Sequence, residues 1–169
     1  EETLRFVVED LLPEIFVPEI LAGTDEEKKA VSGLGIQKKR FYLGGYSLAG
    51  LFSLWAAYQT NLFQGIAAVS PSVWFPKWEQ YIRAHEIRAG RVYLSLGEKE
   101  VKVRNQVMAK VGDAIRLQHE LLVDFPACRE CVREWNPGNH FVDSDKRTAK
   151  GFVWVLNHEE TIIPHPGLV

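Results

Sequence analysis

The sequence repeats one pattern four times: a short apolar run that ends at small or turn-forming residues and gives way to a helical segment. The four runs are KRFYLGG, QGIAAVSPS, RVYLSLG and ACRECVREW. Short apolar runs bounded by glycine, serine and proline predict buried strands. Strands that alternate with helices form a parallel sheet covered on both faces, so we predict an α/β fold.

The segments between these runs have apolar residues at helical spacing. Asn105 is a suitable N-cap for the longest of them. A further segment near the amino terminus spaces apolar residues from Leu4 to Leu12 in the same way and is interrupted by Pro13 and Pro18. The predicted helices of the repeating part are 48–60, 76–87, 105–122, and one that starts at Asp143 or Ser144 and runs to 158.

Composition restricts the class of protein. The chain has 169 residues, of which 46% are hydrophobic and 25% charged, and its net charge is −2. We predict a single domain over residues 1–169. The net charge argues against nucleic acid or an anionic membrane as partner, and no apolar run approaches the ~20 residues of a membrane span. A cytoplasmic location is the expectation, although the chain begins at Glu1 without a methionine, so a targeting segment upstream stays possible.

The two cysteines have C-x-x-C spacing in CREC. If ACRECVREW is a strand, Cys128 and Cys131 point to opposite faces and cannot share a metal. The sequence offers no second pair to complete four ligands. We therefore predict neither a metal site nor a redox motif, and we expect no cofactor.

Chemistry-bearing residues follow the predicted strands. Ser47 follows the first strand, Glu98 to Glu100 the third, and His140 the fourth. In an open α/β sheet, ligands bind outside the carboxyl ends of the strands. Serine, acid and histidine in this chain order match the triad of the α/β-hydrolase fold.

Ser47 has two readings. As a nucleophile on a strand-to-helix elbow it requires small residues two positions before and after it, and these are Gly45 and Ala49, with Gly50 one place late. As an ordinary serine at a helix start it would be an N-cap. The pattern is thus G-x-S-x-A, and its strand–turn–helix setting favours the nucleophile.

Two glutamates compete for the role of the acid. Glu100 lies three residues beyond Gly97, within reach of a histidine, and Glu98 is the near alternative. Asp113 lies too far into the next predicted helix. If neither glutamate is the acid, both are solvated in the charged stretch EKEVKVR. We favour Glu100, which would fix the imidazole tautomer and stabilise the imidazolium.

The remaining predicted site residues follow from the same placement. The backbone N–H of Leu48, at the start of the elbow helix, is the predicted donor of an oxyanion hole, and a second donor normally comes from a loop well upstream. We place Tyr46, Trp74 and Trp78 in the substrate pocket, with packing beneath the loop as the alternative for the two tryptophans.

Four segments together resemble the esterase family of the α/β-hydrolase superfamily that includes esterase D and the enterochelin-type siderophore esterases. They are YLGGYSLAGLFSLWAA, GIAAVSPSVWF, VYLSLGEKE with RN, and EWNPGNHF with RTAKGFVWVL. The resemblance implies a three-layer sandwich with a mostly parallel sheet. The full hydrolase fold usually has several strands before the elbow, whereas this chain has 46 residues before Ser47, with no strand pattern ahead of KRFYLGG. Either this chain is the C-terminal portion of the full fold and lacks some N-terminal strands, or the second oxyanion donor comes from elsewhere.

The resemblance also implies roles for residues. Ser47 takes the place of the nucleophile, His140 that of the base, and Glu100 that of an acid that is commonly aspartate. The expected activity is hydrolysis of a small carboxylic ester through an acyl-enzyme on Ser47. The alternatives are an acyltransferase on the same scaffold, or a catalytically silent protein that binds a ligand or partner. The sequence predicts neither the substrate's identity nor the oligomeric state.

Overall fold

A computed structural model describes residues 1–12 and 40–157. The chain divides into two compact units, Glu1–Lys39 and Arg40–Val169, which we describe separately. In the first unit, helix α1 (Glu2–Arg5) continues into a π-helical segment, Phe6–Leu11. The predicted helix is therefore present. Its second half winds more widely than an α-helix, so the α-helical spacing of its apolar residues is not kept there. Pro13 and Pro18 lie outside the described residues, and the single-domain prediction stays a prediction.

The second unit alternates strands and helices, as the sequence pattern predicts. In chain order its elements are β1 (Phe41–Tyr46), α2 (Leu48–Gln59), β2 (Phe63–Val69), α3 (Trp78–Ala84), β3 (Arg91–Gly97), α4 (Gln106–Ala109), α5 (Val111–Asp124), β4 (Glu130–Asn136) and α6 (Ser144–Leu156).

The four strands form one sheet in the order β1-β2-β3-β4, and every neighbouring pair is parallel. After each strand the chain therefore crosses back, through a connection that contains a helix, to the edge of the sheet where the next strand begins. The strands β2 and β3 are almost wholly buried, whereas β1 and β4, which flank them in this sheet, are half-buried. The predicted α/β fold with a parallel sheet is confirmed.

Helices cover both faces of the sheet. On one face, Val155 of α6 packs in a cluster with Ala67, Val69 and Tyr93 from β2 and β3. On the other face lie α2 and α5, which are joined by Gln118: its side chain donates to the Tyr58 hydroxyl at 2.9 Å. The result is the three-layer arrangement that the resemblance implies.

Two local predictions need correction. The predicted helix 105–122 is two helices, because the backbone at Lys110 has ψ −3 and turns the chain between α4 and α5. The cysteines do not lie on opposite faces of a strand, since β4 begins at Glu130 and Cys128 sits in the preceding turn. Both thiols are free, and a hydrogen bond between them lowers the pKa of Cys128 and raises that of Cys131. Asn105 does cap α4: its Oδ1 accepts the Val107 N–H at 2.9 Å.

The turn from β1 to α2 leaves no space for a side chain at Gly45. A Cβ there would lie 2.6 Å from the Ala49 Cβ and 2.8 Å from the Ala49 carbonyl carbon. The backbones of strand and helix approach this closely because neither residue carries more than a methyl group.

We predict that Gly45→Ala destabilises the protein by about 1–3 kcal/mol, because the obstacle includes backbone atoms. Urea unfolding measures the change. Gly90→Ala is the control: the nearest atoms that its Cβ would meet belong to the guanidinium group of Arg129, the far end of a flexible side chain that can move away. A loss at Gly45 no larger than at Gly90 would contradict the tight turn.

Candidate active site

Ser47 stands on a strained turn between β1 and α2. Its backbone has φ 59 and ψ −119, which a non-glycine residue rarely adopts. The turn is fixed on both sides: the Ser47 N–H donates to Val69 O at 3.0 Å, and Ser47 O accepts the Ser72 N–H at 3.1 Å. The hydroxyl makes no capping hydrogen bond to α2, so Ser47 does not act as the N-cap that the alternative reading requires. Strain held in this way at a strand-to-helix turn is typical of an exposed nucleophile.

Ser47, His140 and Glu100 form a continuous hydrogen-bonded chain. The Ser47 Oγ lies 3.1 Å from His140 Nε2, and His140 Nδ1 lies 2.6 Å from Glu100 Oε2. An ionised carboxylate only accepts hydrogen bonds, so Nδ1 carries the proton and donates a hydrogen bond to Glu100. Nε2 is then the acceptor that faces the serine hydroxyl. The structure thus brings together the three residues that the chain order suggests.

The Glu100 carboxylate is buried and heavily hydrogen-bonded. Besides His140 on Oε2, its Oε1 accepts from Ser70 Oγ at 2.6 Å, from the Gly97 N–H at 2.7 Å and from Arg147 at 3.1 Å. Burial alone would raise the pKa of this carboxyl group. The hydrogen bonds outweigh burial and hold the pKa below its ordinary value of 4.5. Glu100 is therefore a carboxylate at neutral pH.

The competing acids lie elsewhere. Glu98 is exposed, and its N–H donates to Asn136 O. Asp113 forms an exposed ion pair with Arg116 at 2.8 Å. Of the three carboxylates, the structure places only Glu100 against His140.

Arg147 is a residue of the site that the sequence reading missed. It is only 4% exposed, and its guanidinium contacts Glu100, Ser70, the Tyr46 hydroxyl at 2.9 Å and the Asn139 carbonyl. A signal exists in the sequence: with Gly151 and Val155, Arg147 forms the buried stripe of α6. A cation within such a stripe needs a buried acid as its partner.

Tyr46 contacts the backbone and the ring of His140. Its hydroxyl donates to His140 O at 2.6 Å and accepts from Arg147, and the two rings lie 5.2 Å apart. Tyr46 is not among the residues that line the cavity at Ser47. Its placement in a substrate pocket stays a prediction, and the contact observed is with the histidine loop.

The loops after β3 and β4 are bound to each other along their backbones. The Glu98 N–H donates to Asn136 O at 2.9 Å, and the Lys99 N–H donates to Gly138 O at 3.0 Å. Gly97 permits this approach, because a Cβ there would lie 2.7 Å from Gly138 O. The acid and the histidine are thus held on one hydrogen-bonded pair of loops.

A cavity of about 400 Å³ opens at Ser47. Trp74, which follows β2, lines this cavity, and its contact with substrate stays a prediction. Trp78 does not line it: it is 6% exposed, and its indole N–H donates to Gln118 at 3.0 Å. Ser72 also lines the cavity, with its Oγ 3.4 Å from that of Ser47.

Leu48, whose N–H is the predicted oxyanion donor, is the first residue of α2, so this N–H has no acceptor within the helix.

Within residues 1–12 and 40–157, no group of three or more metal-ligating side chains comes together. No helix in that part of the chain is long and apolar enough to cross a bilayer.

The chain resembles two solved structures in fold. Against the siderophore hydrolase EstB from Aspergillus nidulans the TM-score is 0.62 at 18% identity, with 96% of this chain and 59% of that chain covered. Against the siderophore hydrolase EstA from the same organism the values are 0.58 and 19%, with 93% and 57% covered. No family model matches the sequence, and no curated protein does. At this identity the likeness shows a shared fold, and the chain spans less than three fifths of either relative. The predicted α/β-hydrolase type of fold is confirmed.

The hydrogen bonds to Glu100, which outweigh its burial, lead to a prediction about pH. Its folded-state pKa is depressed, so its contribution to stability is present above the unfolded value and is lost as pH falls through the folded value. Glu100→Gln removes this contribution. The parent should therefore be more stable at neutral pH, and the difference between parent and variant should shrink as pH falls below about 4.5. Urea unfolding across that pH range measures it, with the exposed Glu98→Gln as control. A difference that does not change with pH would contradict the depressed pKa.

The Arg147 contacts predict a large difference between two arginine variants. Arg147→Met leaves the Glu100 carboxylate buried without its cation, which should cost about 3–5 kcal/mol of unfolding free energy. Arg116→Met breaks an exposed pair and should cost no more than about 1 kcal/mol. Urea unfolding of both variants at neutral pH makes the comparison. Equal losses of unfolding free energy would contradict the prediction that the buried Glu100–Arg147 pair stabilises the protein more than the exposed pair.

Proposed function

We propose that this chain belongs to a serine hydrolase that cleaves a carboxylic ester through an acyl-enzyme on Ser47. The observation that carries the proposal is the chain from Ser47 Oγ through His140 to the buried Glu100 carboxylate, which starts on a strained turn and opens into a cavity. The names of the two structural relatives, both hydrolases of siderophores, support hydrolysis as the reaction class.

The proposed mechanism assigns one role to each residue. His140 Nε2 accepts the Ser47 proton as the oxygen attacks the ester carbonyl, and it then protonates the departing alcohol. Water repeats the cycle on the acyl-enzyme and releases the acid. Glu100 does not accept a proton. It keeps Nδ1 protonated and stabilises the imidazolium, a role that suits a carboxylate with a depressed pKa.

The tetrahedral intermediate needs donors for its oxyanion. The Leu48 N–H, at the first position of α2, is the proposed donor on this chain, and the helix dipole favours negative charge there. In this fold a second donor normally comes from a loop well upstream of the elbow. Loss of one such donor costs on the order of a hundred- to thousand-fold in rate.

The substrate in this proposal is a small-molecule ester, and no cofactor takes part. An acyltransferase would use the same acyl-enzyme, with an alcohol in place of water, and product analysis with added alcohol separates the two. A cytoplasmic location and the absence of nucleic-acid or membrane partners stay predictions.

We predict that a fluorophosphonate probe labels the parent once and does not label Ser47→Ala, as read by intact mass. The matched control is Ser53→Ala, a buried serine of α2 whose hydroxyl donates to Ala49 O, and it should label like the parent. Glu100→Gln should label more slowly by at least on the order of a hundredfold, since it loses the orienting carboxylate. A folded parent that shows no label would favour the catalytically silent alternative.

A further inference from the structure

The cavity at Ser47 has a positively charged rim. Lys99 and Lys102 line it together with Glu100 and His140. The Glu100 carboxylate is buried and paired with Arg147, so its charge is compensated inside the protein. Both lysines are exposed. The charge that an occupant of the cavity meets is therefore set by two ammonium groups.

The turn that carries these lysines is fixed by its backbone. The Lys99 N–H donates to Gly138 O at 3.0 Å, the Glu100 N–H to Gly97 O at 2.9 Å, and the Lys102 N–H to Lys99 O at 3.1 Å. This turn directs the Glu100 side chain into the protein and leaves its lysine neighbours on the rim. The positions of the lysines thus follow from the same backbone that places the acid.

Neither ammonium group is compensated by a side chain of the described part of the chain. Within residues 1–12 and 40–157, the side chains of Lys99 and Lys102 form no ion pair, whereas Lys146 pairs with Asp143 and Lys150 with Glu134. Glu98, the adjacent acid, does not line the cavity. A cleft lined by one sign of charge attracts ligands of the opposite sign.

The rest of the lining indicates what else the ligand contains. Besides a polar part that includes Ser72 and Asn139, the cavity has an apolar and aromatic wall, with Phe141 86% exposed at its edge. The residues of this apolar wall are Pro71, Trp74, Val103, Met108, Val111 and Phe141. Such a wall suits a hydrocarbon chain or ring.

We propose that the substrate is an ester that carries an ionised carboxylate on an apolar stem, and that Lys99 and Lys102 bind this carboxylate. The proposal rests on the proposed function, because it concerns the same cavity. It adds a chemical class of substrate that the Ser47, His140 and Glu100 geometry does not specify.

The test compares matched esters. The first pair is para-nitrophenyl hydrogen adipate and para-nitrophenyl hexanoate, which place a carboxylate or a methyl at the end of the acyl chain. The second pair is para-acetoxybenzoate and its methyl ester, which place the charge on the alcohol side. The parent should show a higher kcat/KM for the anionic member of at least one pair, and added salt should reduce that preference.

Two variants assign the preference to residues. In Lys99→Gln/Lys102→Gln the ratio of anionic to neutral kcat/KM should fall on the order of fivefold, the size expected for two exposed ion pairs. Lys110→Gln is the control, because Lys110 is an exposed cation of the same segment that does not line the cavity. In Lys110→Gln the ratio of anionic to neutral kcat/KM should equal that of the parent.

A binding measurement separates this proposal from the proposed function. Ser47→Ala should bind the anionic ester more tightly than its neutral partner by calorimetry, and adding the two lysine substitutions should remove the difference. This result would stand even if the parent hydrolysed no ester, in which case the proposed function alone would fail. Hydrolysis or binding without preference for the anionic ester, or an equal fall in the Lys110 control, would overturn the carboxylate proposal.

Discussion

The site depends on one buried ion pair. Glu100 and Arg147 are each less than a tenth exposed and lie 3.1 Å apart. The neighbours that hydrogen-bond to one or both of them include Ser70, His140, Tyr46 and Asn139. A charge in the interior is tolerated only when it is paired and hydrogen-bonded. Arg147 supplies that compensation to a carboxylate whose second oxygen then remains available for His140.

The topology explains how this pair comes to lie behind the serine. Four parallel strands end at one edge of the sheet, and the loops that follow them supply Ser47, Ser70, Glu100 and His140 in turn. Ser47 and Ser70 both have positive φ, which turns the chain sharply at the ends of β1 and β2. Arg147 reaches the same edge from the first turn of α6. Residues that are a hundred positions apart in sequence thus meet because parallel strands and their crossovers return to one edge.

Much of this could be predicted from the sequence, because it depends on local patterns. The strands follow from short apolar runs, and the order of Ser47, Glu100 and His140 follows from their places after those strands. The Arg147 contacts could not be predicted in this way, since the residue is separated from Glu100 by 47 positions and its burial depends on how α6 packs. The packing of Trp78 likewise could not be predicted from local sequence patterns. Its position near the site in sequence favours a pocket residue, but its indole N–H finds a buried acceptor in α5.

The turn after β3 separates two charges that would otherwise cancel. Glu100 and its lysine neighbours are adjacent in sequence, and in an extended or solvated segment they would compensate one another at the surface. Glu100 lines the cavity, but its negative charge is compensated by Arg147, and in the described part of the chain the side chains of the two lysines form no ion pair. The contact that holds the acid in place therefore also determines the charge of the rim. The hydrogen-bonded chain from Ser47 to Glu100 and the positive charge at the cavity rim both depend on this one buried pair.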